Sequence, residues 1–301
     1  MSFSSDLKTE LSEIYVHAAH CRIAELSALT SLLGKYSDEN IIIKSEKEQC
    51  IAKISRLIRK TFDNSEKMMY TSICSGQNVI KIEKSLANEM ISTLKLSIKG
   101  EEIYSDDQVF EKTCCKRAFI RGAFLAVGSI SSPEKKHHFE MDYSDDLRAE
   151  QIIKIIKVFD IYPKVVVRRN SYVVYLKDGD EIANILSVIE APNALMTFEN
   201  FRIVKDIRNS INREVNCETA NISKIAGASV KQIEDIEFID KLKGRDFLTD
   251  SLREVADIRV ENPLLSLKEL GEMMNPPIGK SGVNHRLRRI SILADKLREE
   301  L

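Results

Sequence analysis

The chain of 301 residues has room for about two domains, each large enough to bury a core of its own. Lys plus Arg number 45 and Asp plus Glu 46, so a chain that is 30% charged has a net charge of −1 and presents no overall field to nucleic acid or membrane. With 43% hydrophobic residues and only 11 Gly and 6 Pro, its composition excludes a disordered or collagen-like chain and reads as a soluble, helix-rich globular protein.

Asp6, Lys8 and Glu10 occupy the region where a secretory signal needs an apolar stretch. The uncharged run from Gly122 to Pro133 is too short to cross a bilayer. The expected location is therefore the cytoplasm, with no membrane partner. The six cysteines show no CxxC spacing and are expected as thiols in a reducing compartment.

Two stretches share one grammar: a helix with small residues, a strand, an amphipathic helix, a hairpin and a closing helix. In the first, Arg22 to Gly34 reads as helix, Asn40 to Lys44 as strand, and Glu48 to Phe62 as a helix with Ile51, Ile54, Leu57 and Ile58 on one face. A hairpin follows, Lys67 to Cys74 and Asn78 to Ile82, turning at Ser75-Gly76-Gln77. In the second, the helix is Lys116 to Gly128, the strand His138 to Tyr143, and the amphipathic helix Asp145 to Phe159. Its hairpin pairs Lys164 to Arg168 with Tyr172 to Lys177, before a closing helix from Gly179 to Ile189. Leu26 and Ile120 stand 94 residues apart, which is a domain-scale duplication and not a solenoid period.

Ala28, Gly122 and Ala126 place small side chains where two helix backbones can approach closely at a pseudo-twofold axis. These stretches resemble the paired motif helices of the LAGLIDADG homing-endonuclease fold. In that fold each helix ends in an acidic residue just before a Gly, and the two carboxylates hold the metals that cut DNA. Aligned on Gly34 and Gly128, those positions are Leu33 and Val127 here. Neither can ligate a hard cation, so two-metal phosphodiester cleavage is not expected.

From about Lys205 the chain turns polar and Asn-rich, and Arg208 to Asn221 reads as a connecting helix or linker. Beyond it the apolar spacing is helical throughout. Ile233, Ile236 and Ile239 mark one helix, whose start is expected at Ser229 with Gln232 in capping-box spacing. Leu248 to Glu261 is the next, stopped by Asn262-Pro263. Ser266 and Glu269 repeat the capping-box spacing before a short helix, and Asn275-Pro276-Pro277 breaks the chain. The last helix runs from about Lys280 to Glu300 with Val283, Leu287, Ile290, Ala294 and Leu297 in one stripe.

Ser281, His285 and Arg288 point away from that stripe, with Asn284 and Arg289 on its flanks. A short helix, a turn and a basic helix form a helix-turn-helix pattern, in which polar groups near the start of the second helix reach base edges while Lys and Arg meet phosphates. The expected DNA-binding residues are Ser266, Lys268, Lys280, Ser281, Asn284, His285, Arg286, Arg288 and Arg289. Arg288 suits guanine and Asn284 adenine.

Taken together, Cys115-Lys116-Arg117-Ala118-Phe119-Ile120-Arg121-Gly122-Ala123-Phe124-Leu125-Ala126-Val127-Gly128, the Arg208 to Asn221 stretch, Ser266 to Gly271 and Lys280 to Arg288 resemble the WhiA family of Gram-positive bacteria over essentially the whole chain. The resemblance implies an α+β fold: a degenerate LAGLIDADG-like domain over residues 1–205, with pseudo-repeats of about 1–100 and 113–205, a linker at 206–217, and a helix-turn-helix domain over 218–301. It also implies a nucleoid-associated transcription regulator linked to cell division and sporulation, without nuclease activity. Some relatives work beside a WhiB-type co-regulator.

No cofactor, small-molecule substrate or metal is expected. His17, His20 and Cys21 have a turn-like spacing but no nameable fourth ligand, and Cys114-Cys115 reads as core packing. Lys135 and Lys136, with Arg168 and Arg169, form a possible secondary DNA surface, weakened by Glu134, Glu140 and Asp142. The competing readings are a metal-dependent endonuclease and a chromosome-associated interaction scaffold.

Overall fold

The computed structural model describes residues 2–63, 65–74 and 76–300. Ser75 of the expected hairpin turn lies outside them. The chain divides at Lys205/Asp206 into two compact units.

In the first unit, α1 (Phe3–Glu13) starts where the Ser2 hydroxyl accepts a hydrogen bond from the Ser5 amide at 3.2 Å. The first repeat follows as α2 (Ala19–Leu33), β1 (Gly34–Ser37), β2 (Asn40–Ser45), α3 (Glu48–Thr61), β3 (Met69–Cys74), β4 (Gln77–Ile82) and α4 (Lys84–Thr93). A further hairpin, β5 (Leu96–Lys99) and β6 (Glu102–Ser105), closes it. The second repeat comprises α5 (Thr113–Val127), β7 (Gly128–Ile130), β8 (Phe139–Tyr143), α6 (Asp146–Lys157), β9 (Lys164–Arg168), β10 (Ser171–Leu176) and α7 (Gly179–Val188).

The sheet orders expose the duplication. The first is β3-β4-β2-β1-β6-β5 and the second β7-β8-β10-β9, antiparallel throughout. Without β5 and β6 the first order is the second read backwards. Three pieces were not expected from the sequence: β1, β7 and the β5–β6 hairpin. Each strand is only three or four residues long, too short to show a period of two.

The motif helices α2 and α5 pack against each other at the centre of this unit. Their approach is tight at Gly122, where a Cβ would stand 2.7 Å from the Glu25 carbonyl oxygen and 3.1 Å from the Ala28 Cβ. The charges buried beside this seam compensate one another. Glu25 is fully buried and receives Arg121 Nη2 at 3.0 Å and Lys53 Nζ at 3.0 Å. Arg121 also reaches Glu190 at 2.5 Å, and Lys53 donates to the carbonyls of Leu11 and Ile14 at 2.9 and 2.7 Å. Burial holds the Lys53 ammonium below its ordinary range although Glu25 opposes this. Burial also pulls on Arg121, but Glu25 and Glu190 outweigh it and raise its pKa.

Helix α8 (Pro192–Lys243) crosses the division between the units. Residues 206–217, expected as a connecting helix or linker, are helical and exposed within it. Ser229 is not a helix start: it lies inside α8 with its hydroxyl buried, so the capping spacing with Gln232 is coincidental. The second unit adds α9 (Asp250–Glu261), α10 (Leu267–Glu272) and α11 (Lys280–Glu299). Ile236 and Ile239 of α8, Leu252 and Val255 of α9, Leu270 of α10 and the α11 stripe from Val283 to Leu297 form its core.

Candidate nucleic-acid interface

The helix-turn-helix is built by local chemistry. The amide of Ser266 donates to Glu269 Oε2 at 2.7 Å while its hydroxyl accepts from the Glu269 amide, a complete capping box that starts α10. The bond to Ser266 holds the Glu269 carboxyl below its ordinary pKa. Buried Arg259 fixes the approach to α10 by donating to the Leu265 carbonyl at 2.9 Å. The turn folds back so closely that the Ile278 amide bonds the Gly271 carbonyl at 3.0 Å. A Cβ on residue 271 would strike the Ile278 carbonyl, and glycine is required there for close approach.

Glu254 of α9 locks the turn to the second helix. It accepts the Asn275 amide at 2.7 Å and faces Arg286 Nη1 at 3.5 Å. Arg286 also donates to the Ser251 carbonyl at 3.3 Å. Arg286, half-buried, therefore faces α9 as a strut, whereas the sequence analysis counted it among the expected DNA-binding residues.

The remaining α11 residues separate cleanly from this strut. Lys280, Ser281, Asn284, His285, Arg288 and Arg289 are exposed, and none makes a side-chain hydrogen bond or ion pair among the described residues. Positions 281, 284, 285 and 288 follow the i, i+3, i+4, i+7 spacing of one helix face. Lys268 is exposed on α10 beside Glu272 at 3.9 Å, and Ser266 is spent on its cap.

In the first unit, Leu33 and Val127 are the last residues of α2 and α5, half-buried against the core. Among the described residues, the one grouping with metal-ligating geometry is His20, Cys21, Cys114 and Cys115, at the opposite ends of these helices. Burial, then Cys114 and Cys115, push the Cys21 thiol up to about 12, and burial raises Cys115 as well.

The expected secondary surface is electrostatically blunted. Arg168 stands 3.6 Å from Glu140, which also bonds His138 at 2.8 Å. Arg168 and Arg169 line one shallow concavity with Glu140 and Asp142. Lys135 and Lys136 are exposed before β8. The sequence analysis missed a more basic face on the first sheet. There the register puts Lys35, Ile42, Lys81 and Tyr70 side by side, with Lys44 two residues along β2 on the same side. Lys35 pairs with Glu102, whereas Lys44 and Lys81 have no ion pair among the described residues. Alternation of Lys44 and Lys81 with the buried Ile43, Ile80 and Ile82 was the signal that could have found it.

Fold and site define a two-domain protein that joins a degenerate, duplicated LAGLIDADG-like α+β domain to a helical helix-turn-helix domain. Residues 116–208 match the family model described as the WhiA LAGLIDADG-like domain, and residues 211–294 the WhiA C-terminal HTH domain. A Lachnoclostridium phytofermentans protein named "Probable cell division protein WhiA" is 44% identical over 314 residues, covering 99% of this chain and all of its own. A Thermoanaerobacter sp. protein of the same name is 40% identical, covering 99% of each chain. The crystal structure of full-length WhiA from Thermatoga maritima shares the fold, with a TM-score of 0.59 over 98% of this chain and 99% of that one at 23% identity. The chain belongs to the WhiA family. No helix among the described residues is long and apolar enough to cross a membrane.

Proposed function

We propose that this protein is a sequence-reading regulator of double-stranded DNA in the cytoplasm, associated with the nucleoid and acting in cell division and sporulation, without nuclease activity. The observation that carries this reading is the α11 face: Ser281, Asn284, His285 and Arg288 in one exposed row, with Lys280 and Arg289 beside it and no internal partner among the described residues. An uncompensated cation on a rigid helix supports phosphate contact, and the fork of Arg288 and the amide of Asn284 support base-edge contact. Lys268 adds a phosphate contact from α10, while Ser266 and Arg286 set the geometry.

The names of the relatives support the link to cell division. The absence of carboxylates at Leu33 and Val127 supports a non-enzymatic role. On the first unit, Lys44 and Lys81, with Lys135 and Lys136, are the better secondary backbone contacts, because Arg168 is offset by Glu140. A protein co-regulator would engage the surface that DNA leaves free.

The test is selection from a random duplex library at near-physiological salt with the full chain. A short enriched motif that disappears with Arg288→Glu is the expected result, and affinity should fall steeply with salt. Retention without any motif would move the weight to a scaffold role. Mg²⁺-dependent nicking of plasmid DNA that survives stringent purification would restore the endonuclease reading.

A further inference from the structure

His20 and Cys21 from the first turn of α2 meet Cys114 and Cys115 from the first turn of α5. The His20 Nδ1 lies 3.2 Å from Cys115 Sγ, 3.2 Å from Cys21 Sγ and 3.9 Å from Cys114 Sγ. All four ligand atoms fall within 4.8 Å of one another. Hydrogen bonds satisfy this cluster only in part: Cys115 Sγ also lies 3.7 Å from the His20 carbonyl oxygen, but a neutral imidazole offers one acceptor nitrogen with one lone pair for the thiols that converge on it. A cation resolves the conflict.

The geometry points to a Cys₃His zinc site that staples the start of α2 to the start of α5. Zn–S bonds of about 2.3 Å and Zn–N bonds of about 2.0 Å give tetrahedral edges of about 3.5–3.8 Å, inside the 3.2–3.9 Å span of the nitrogen–sulfur separations already present. The donor set is soft and nitrogen–sulfur, which selects zinc over the hard cations of phosphodiester cleavage. Four protein ligands leave no open position, so the site is structural. Binding displaces the three thiol protons and leaves the centre with one net negative charge. That charge sits where two helix dipoles converge, on helices whose N-caps, Ala18 and Lys112, supply no side-chain cap.

The duplication supplies the architecture. His20 and Cys114 are 94 residues apart, as are Cys21 and Cys115, the same offset that relates Leu26 to Ile120. Each repeat thus contributes the same two positions, and the site lies across the pseudo-twofold axis. The sequence analysis assigned no metal because His17, His20 and Cys21 offered no nameable fourth ligand, and Cys114-Cys115 was read as packing. Cys114 and His20 are in fact exposed, while Cys21 and Cys115 are buried.

The experiment uses the full chain without a histidine tag, reduced and kept anaerobic. Metal content after purification and titration with Co²⁺ should each show one equivalent, with the charge-transfer and ligand-field bands of tetrahedral thiolate coordination. Cys114→Ser and His20→Gln alter exposed ligands and should weaken metal affinity at least tenfold while retaining the circular dichroism of the wild type. Cys74→Ser and Cys217→Ser, remote in sequence and exposed, should keep one equivalent. Zn²⁺ should raise the melting temperature of the wild type but not of Cys114→Ser. Substoichiometric uptake by the reduced chain, wild-type affinity in Cys114→Ser, or a Cys21–Cys115 disulfide in the anaerobic protein would each overturn the assignment.

Discussion

The charge clusters of the α2–α5 seam and of α11 are built in opposite ways. In the seam, Lys53 and Arg121 are answered by Glu25 and Glu190, and every one of these ion pairs has its acceptor within 3.0 Å. On α11, Lys280, His285, Arg288 and Arg289 project without a partner among the described residues. A buried charge must be compensated for the chain to fold. An exposed charge left uncompensated costs folding little and stays available to an external anion. Arg286 lies between these regimes: it shares a helix with Arg288 but faces Glu254.

The largest expected break in this comparison is Glu25→Gln. It removes the carboxylate that two buried cations share, leaving Arg121 to Glu190 and Lys53 to the Leu11 and Ile14 carbonyls, so the denaturant midpoint should report a loss of about 3 kcal/mol, partly recovered by adding Lys53→Met. A loss under about 1 kcal/mol would show that the seam tolerates uncompensated charge. Next, Arg288→Glu should weaken duplex binding by about 1–3 kcal/mol, about fivefold to more than a hundredfold, with an unchanged melting temperature. If its affinity matched the wild type, α11 would not be the reading helix.

Arg286→Met sharpens the contrast within one helix. Losing its contacts to Glu254 and Ser251 should cost the second unit about 1 kcal/mol of stability, with DNA affinity per folded molecule nearly retained. The reverse pattern, weak binding at full stability, would return Arg286 to the DNA face.

A further break in the comparison concerns Lys8, whose ammonium donates to the Leu125 carbonyl at 3.2 Å. Burial, then the nearby Lys47, hold its pKa at about 7 against an ordinary 10.5. Between those values the unfolded chain binds more protons than the folded one, so this lysine makes stability rise with pH. Its penalty is fully present below pH 7 and disappears toward pH 10.5. The stability–pH slope of the wild type above pH 7 should therefore exceed that of Lys8→Met, and equal slopes would refute this account.

What could be read from the sequence was whatever is local. The α11 stripe and its opposite face follow from spacing within one helix, and the α10 capping box needs only Ser266 and Glu269. The repeat was visible because the helices and hairpins of each half recur in order. The same local logic misled at Ser229, where a capping spacing occurs inside a helix held by Ile236 and Ile239. The contact of Arg286 with Glu254 was not legible because the two lie 32 residues apart on different helices. The thiol and imidazole cluster was invisible for the same reason, since folding alone brings its two adjacent pairs together.

The close approach at Gly122 bears on how the two halves can change over generations. Its counterpart in the first repeat is Ala28, and the two face each other across the seam. There is space for one methyl group at this crossing, not two. Copying the first repeat's alanine into the second would drive a Cβ into the Glu25 carbonyl, while copying the second's glycine back would loosen α2. Gene conversion that made the halves identical here would damage the fold, so a duplication that began symmetric is held asymmetric at its own axis.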